Sequence, residues 1–150
     1  MSKPVYDAEF ELRFMLENGG AVEAYGSTLT LPIERKFGDI DGVQRYVDLV
    51  WEGDNPPAVR PRRGNTAAHY SRSKHEIAVP DHVGSQHSWA MRELVILHEI
   101  AHAMTRGDSH GARFCGVFVD LVSRFIGPEA GFILMAGLSE RGVQIKTTMV

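Results

Sequence analysis

The chain has 150 residues, a net charge of −3 and 43% hydrophobic residues, which is typical of one globular domain with its own core. The small negative charge gives no general reason to expect nucleic acid or an anionic membrane as a partner, and no apolar stretch has the length of a membrane span. Because Cys115 is the only cysteine, a secreted disulfide scaffold is excluded and a reducing cytoplasm is expected. We interpret this cysteine as a small buried core residue.

The first fifty residues carry signals for two helices and a strand. The first is predicted from a helical face that carries Tyr6, Phe10, Phe14 and Glu17. Three further residues broaden its apolar side: Leu12, Met15 and Leu16. Residues 18–20, Asn-Gly-Gly, predict its end, because glycine readily adopts the left-handed conformation of a helix C-cap. An alternating strand is expected over 27–33. Asp41 and Gln44 have the spacing of a capping box and predict the start of a second helix.

Three short strands are predicted next, over 58–63, 66–71 and 76–79, and an antiparallel meander is the expected arrangement. The following segment, 89–104, is apolar almost all round, which indicates a helix inside the domain, and Gly107 is expected to end it.

Two further helices are predicted at the C-terminal end. An amphipathic pattern begins at Phe114, and Pro128 begins a last helix that runs to about Glu140 and stops at Gly142. The order of elements predicts an α+β fold, with a small mixed or antiparallel sheet packed on the buried helix and further helices on either side in sequence.

The apolar helix contains the motif that carries chemistry, HExxH, formed by His98, Glu99 and His102. Side chains four residues apart lie on one face of a helix, so the two imidazoles can bind the same metal ion. Glu99 is rotated by about 100° from His98, where it can act on a water without being a ligand. Zinc lowers the pKa of such a water, which makes the glutamate its general base.

A third ligand is expected, since tetrahedral zinc needs one more protein group. His110 lies eight residues beyond His102, after a loop that contains Gly107, so the chain can bring it back over the metal. Asp108 stands where metzincins place a ligand, but Thr105 replaces the glycine that their sharp turn needs. Three acidic residues are alternatives to His110 as the third ligand, and each is interpreted as structural: Asp108, Asp120 and Glu129.

These residues carry a family resemblance. The string His98-Glu99-Ile100-Ala101-His102-Ala103, followed by His110-Gly111 and Phe114, resembles SprT-like and related minimal zincins. The chain is more similar still to a family of small bacterial metallohydrolases known by this motif, in five further segments: 27–32, 44–48, 68–70, 77–80 and 89–94. The resemblance covers most of the chain and implies a zincin-type fold with three histidine ligands. No zinc ribbon with paired cysteines is present, which argues against a role in DNA–protein crosslink repair.

The sequence therefore predicts a single zincin-like domain over 1–150 that is a zinc-dependent, peptidase-like hydrolase. It would bind one zinc ion through His98, His102 and His110, use Glu99 as general base and act on a peptide or protein. An exposed strand edge near Ile77 is expected to align an extended peptide.

The group that stabilises the oxyanion is left open among five residues: His69, Tyr70, His75, His82 and His87.

Two other functions stay open. The first is a metal-stabilised binding module without catalysis, which could contact nucleic acid through a cluster of basic residues on the predicted strands: Arg60, Arg62, Arg63, Arg72 and Lys74. A solvated strand face explains the same cluster. The second keeps the zinc chemistry but applies it to a non-peptide amide or an ester.

Overall fold

The computed structural model describes residues 2–63, 67–80 and 90–147. Within them the elements are, in chain order, α1 (Lys3–Asn18), β1 (Gly20–Ala24), β2 (Ser27–Leu31), α2 (Ile40–Val50), β3 (Ala58–Arg62), β4 (His69–Ser71), β5 (Glu76–Pro80), α3 (Glu93–Met104), α4 (Ala112–Phe125) and α5 (Pro128–Glu140). The predicted α+β class is confirmed, while the zincin-like assignment stays a prediction. The chain divides into two compact units, one formed by 1–34 with 107–150 and the other by 35–106.

In the first unit, α1 packs on α5, and its buried face agrees only in part with the predicted one. Its buried face is aliphatic and consists of Val5, Ala8, Leu12 and Leu16. Two residues of the predicted apolar side are therefore confirmed as buried: Leu12 and Leu16. The aromatic part of the prediction is wrong, because these side chains are 53%, 57% and 63% exposed: Tyr6, Phe10 and Phe14. Both sets recur at helical spacing, and adjacent positions lie about 100° apart around the axis, so periodicity alone does not choose between them.

The hairpin of β1 and β2 contains a strand that the sequence did not predict. The two strands are antiparallel, and Tyr25 and Gly26 join them with φ of 50° and 81°. Positive φ at both central residues is the two-residue turn that matches the twist of a hairpin. α1 ends at Asn18 as expected, and β2 ends at Leu31 rather than at Ile33.

The last two helices confirm their predictions. α5 runs over Pro128–Glu140, and Gly142 follows in the left-handed region at φ 78°. α4 buries Phe114 and Phe118 completely, together with Cys115, which is the predicted buried core residue. No helix of the described residues combines the length and apolar character needed to cross a bilayer.

In the second unit, the three-stranded sheet has the order β3-β5-β4. β5 is parallel to β3 and antiparallel to β4. The sheet is therefore mixed, and the predicted meander is wrong because β5 lies between the two strands that precede it in sequence. The expected free edge near Ile77 is also wrong, since Ile77 pairs with Val59 on one side and Tyr70 on the other.

The N-cap of α2 lies two residues earlier in the chain than the predicted one. Asp39, rather than Asp41, is the N-cap, and its Oδ1 accepts a hydrogen bond from the backbone N–H of Gly42 at 2.8 Å. Gln44 does not complete a capping box, because its Oε1 accepts from the backbone N–H of Val59 at 2.7 Å. This glutamine therefore ties α2 to β3.

α3 is the buried helix predicted from its composition, and all its residues except His102 and Met104 are buried. It begins at Glu93 rather than at 89, and residue 89 itself lies outside the described part of the chain. The residues just before the helix are held by 35–37: the Phe37 N–H donates to the Met91 carbonyl at 2.8 Å, and the Glu93 N–H donates to the Arg35 carbonyl at 3.0 Å.

Candidate metal centre

α3 places His98 and His102 one helical turn apart, as the motif spacing predicts. Their ring centroids are 4.9 Å apart and their planes are inclined by 64°. His98 is only 2% exposed, while His102 is half-buried. Two imidazoles on the same face of a rigid buried helix are held near each other by the helix itself, without help from a loop.

Glu99 is also nearly excluded from solvent, at 7% exposure. Its Oε1 accepts a hydrogen bond from the backbone N–H of Tyr70 at 2.9 Å. Tyr70 lies in β4, whose one partner in the sheet is β5, so this N–H belongs to the outer edge of β4. The edge strand therefore orients the carboxylate that the motif identifies as general base. Sequence reasoning missed this contact because the donor is a backbone group, and only the side chain of Tyr70 was considered.

His110 stands two residues before the start of α4, as expected. Its Nδ1 is 2.7 Å from the hydroxyl oxygen of Ser2. The ring also makes two edge-type aromatic contacts, with Tyr6 at 5.1 Å and with Phe114 at 4.9 Å between centroids. The imidazole is therefore fixed by polar and apolar neighbours.

His98, His102 and His110 each offer a ring nitrogen, and these three atoms lie within 4.8 Å of one another. They are close enough to bind a metal ion. Three nitrogens at about 2.0–2.1 Å from a tetrahedral zinc would be roughly 3.4 Å apart, which is the same range of distance. Neutral imidazole is a ligand suited to zinc, copper, iron and nickel, and the donor set thus fits a transition metal rather than calcium or magnesium.

The acidic alternatives have other contacts. The Asp108 carboxylate accepts a hydrogen bond from the backbone N–H of Phe114 at 2.8 Å and so satisfies the first turn of α4. Asp120 pairs with Arg124 at 3.3 Å on an exposed face of the same helix. Glu129 lies in the first turn of α5, where the helix dipole favours an acid. None of the three belongs to the histidine group.

His75 is held in a network that leaves it one tautomer. Its Nε2 faces the backbone carbonyl of Asn55 at 2.8 Å, and its Nδ1 faces the guanidinium of Arg106 at 2.8 Å. A carbonyl only accepts and a guanidinium only donates, so Nε2 carries the proton and Nδ1 is the acceptor. The hydroxyl of Tyr70 is also on Nδ1, at 2.8 Å. These contacts hold both side chains in place, and the oxyanion role stays open for them.

The other oxyanion candidates are three histidines: His69, His82 and His87. His69 is exposed on β4. Two more lie outside the described residues: His82 and His87. The stabilising group thus stays unassigned.

A buried carboxylate at the start of α3 holds the motif helix in its unit. Glu93 is 2% exposed. It accepts hydrogen bonds from the Tyr46 hydroxyl at 2.6 Å and from the Arg35 N–H at 2.8 Å. The Arg35 guanidinium lies 3.7 Å from its second oxygen. Since Tyr46 belongs to α2, this carboxylate joins α2 to the N-terminal end of α3. Nothing in the sequence pattern distinguished Glu93 from a surface acid in a first helical turn.

Cys115 carries no nucleophilic chemistry at neutral pH. Burial, with a smaller contribution from the Asp108 charge, raises the pKa of its thiol to about 11. A thiol with this pKa is almost entirely protonated at pH 7, and the thiolate is the reactive form.

The basic cluster considered for nucleic acid is partly engaged with the sheet. Arg60 lies 3.2 Å from Glu76, and Arg62 donates to the carbonyl of Ala67 at 2.8 Å. A nucleic-acid role for this cluster stays a prediction.

Comparison with known proteins found no match to any family model, any curated protein or any solved structure.

Proposed function

We propose that the protein is a zinc-dependent, peptidase-like hydrolase of the zincin type. His98, His102 and His110 would hold one zinc ion, and Glu99 would be the general base. The observation that supports this proposal is the approach of three ring nitrogens to within 4.8 Å of one another, with a buried carboxylate next in sequence to the first of them.

Three protein ligands are the number found in catalytic zinc sites, which keep one position open, whereas structural zinc sites use four. Bound here, zinc would supply Lewis acidity, polarising a carbonyl group and lowering the pKa of water. Within the described residues the ligand set consists of three histidines, and this number favours catalysis over a purely structural role for the metal.

Glu99 supplies the proton transfers. The Tyr70 N–H holds Oε1 of its carboxylate at 2.9 Å, and this oriented carboxylate takes the proton of the attacking water. The same carboxylic acid then returns a proton to the leaving amine, which is the usual sequence for a general base that becomes an acid. Its 7% exposure keeps bulk water from competing for these hydrogen bonds.

The substrate class is an amide bond in a peptide or protein. Hydrolysis of such a stable carbonyl compound needs both an activated water and a proton for the leaving nitrogen. Zinc together with Glu99 would supply them. β5 has no free edge that could align the peptide, because it is hydrogen-bonded to a strand on both sides.

The test compares wild type with Glu99→Gln and with Glu129→Gln, an acid outside the histidine group, on a library of internally quenched peptides. Wild type loaded with zinc should hydrolyse some of them. Glu99→Gln should keep its zinc and lose about 10²- to 10⁴-fold in rate. Glu129→Gln should behave as wild type.

Two results would count against the proposal. Full activity of Glu99→Gln would remove this residue from the mechanism. Stoichiometric zinc in wild type without hydrolysis of any peptide, ester or small amide would favour the binding module.

A further inference from the structure

Ser2 occupies the N-cap position of α1 but does not cap it. An N-cap serine is usually extended, and its hydroxyl accepts a hydrogen bond from a backbone N–H in the first turn. Ser2 instead has φ −85° and ψ −11°, and its side chain makes no capping hydrogen bond. The hydroxyl is therefore used elsewhere.

Its contact is the ring of His110, with Oγ 2.7 Å from Nδ1. Through its backbone, Ser2 also places the ring of Tyr6 against that of His110. Its carbonyl accepts the first hydrogen bond of α1 from the Tyr6 N–H at 3.1 Å, and the Tyr6 ring lies edge-on to His110, at 5.1 Å and 81°. The first turn of α1 thus fixes both the polar edge and one side of this imidazole.

A histidine that binds a metal must be neutral, and its other nitrogen usually donates to an acceptor that fixes the tautomer and the ring orientation. A hydroxyl oxygen is such an acceptor. When Nδ1–H donates to Ser2, the lone pair is on Nε2, which is then the nitrogen that can bind a cation.

We propose that Ser2 is a positioning residue for the third histidine of the metal centre. Its hydroxyl accepts a hydrogen bond from Nδ1–H of His110 and holds the ring with Nε2 available as a ligand. This inference rests on the proposed function, because it assigns His110 to a metal. It goes beyond that function by identifying a determinant of metal affinity that lies 108 residues from His110 in sequence.

The experiment measures zinc affinity by competition with a chromogenic chelator for the wild-type chain, Ser2→Ala and Ser2→Thr. Ser27→Ala, which removes an exposed hydroxyl from β2, is the matched control. Ser2→Ala should bind zinc about 10- to 100-fold more weakly, which is the usual effect of losing such an outer partner. Ser2→Thr keeps a hydroxyl and should recover most of the loss, while Ser27→Ala should match wild type.

Two readouts on the metal-free protein separate positioning from a structural role. Because no cap is lost and only one partly buried hydrogen bond is removed, Ser2→Ala should melt within about 6 °C of wild type. The nitrogen-15 shifts of the His110 ring should report the Nδ1–H tautomer in wild type and a mixture of tautomers in Ser2→Ala.

Unchanged zinc affinity in Ser2→Ala would overturn the inference, whether or not its melting temperature fell. Failure of wild type to bind zinc would overturn the proposed function and this inference with it. Zinc binding by wild type that Ser2→Ala does not weaken would overturn the inference alone.

Discussion

Replacing Tyr46 with phenylalanine should destabilise the second unit through the carboxylate that begins α3. The change removes one oxygen and leaves the ring, so the packing of Tyr46, which is 5% exposed, is kept. The lost hydroxyl donates to Glu93 at 2.6 Å, and Glu93 itself is 2% exposed. Water cannot readily replace the donor at such a site.

Hydrogen bonds to charged groups contribute about 1.5–3 kcal/mol, and a buried acceptor left without its donor retains its desolvation cost. Glu93 keeps the Arg35 N–H at 2.8 Å, which limits the loss to one donor. The free energy of unfolding should therefore fall by about 1.5–3 kcal/mol. For a chain of this size, the melting temperature should fall by about 3–12 °C.

The assay is urea unfolding of metal-free protein, monitored by circular dichroism. Thr28→Val is the control, since Thr28 donates to Glu23 at 3.2 Å on an exposed strand, and its change should stay within about 0.5 kcal/mol. A loss below about 0.5 kcal/mol for Tyr46→Phe would refute the view that this hydrogen bond ties α2 to the motif helix.

Three further predictions concern single sites. At pH 8 the Cys115 thiol should react with iodoacetamide at least about 100-fold more slowly in folded than in denatured protein, because its pKa is about 11 against an ordinary 9.0. Equal alkylation rates in folded and denatured protein would contradict the burial. Since the pKa is raised only in the folded state, the free energy of unfolding should be unaffected below pH 9 and should fall between pH 9 and 11 in urea titrations. Tyr70→Phe should lower stability by about 0.5–1.5 kcal/mol, yet change peptide hydrolysis less than about twofold, because the backbone N–H on Glu99 remains; a hundredfold loss of rate would assign the oxyanion role to the hydroxyl. Gly131→Ala should destabilise by about 1–3 kcal/mol, as its Cβ would lie 1.7 Å from Oγ and 2.9 Å from Cα of Ser123; unchanged thermal unfolding would show that α4 and α5 are less closely packed.

Local spacing predicted well which three histidines come together. His98 and His102 are related by the geometry of a single helix, which the sequence determines by itself. His110 follows after a short loop, so only a few residues separate it from α3 and the positions it can take are limited. The structure brings the three ring nitrogens within 4.8 Å of one another, as this reasoning requires.

The errors arose where two local signals compete or where pairing is not local. Asp39 and Asp41 are equally good helix caps two residues apart, and only the first accepts from Gly42. β1 is a weak strand sequence by propensity, and its pairing with β2 stabilises it.

Nonlocal contacts also explain what the motif left out. The strand order β3-β5-β4 depends on contacts that periodicity does not encode. The donor that orients Glu99 is a backbone N–H from a strand 29 residues away in sequence. Such contacts carry no residue signature, because every residue other than proline has the same backbone donor.

Calorimetric titration of the metal-free chain with zinc tests the central claim most directly. Wild type should bind one zinc ion per chain, and His110→Ala should bind it at least about tenfold more weakly. His69→Ala, an exposed histidine on β4, should titrate as wild type. Absence of zinc binding by wild type, or equal affinity in wild type and His110→Ala, would contradict a metal centre formed by these three histidines.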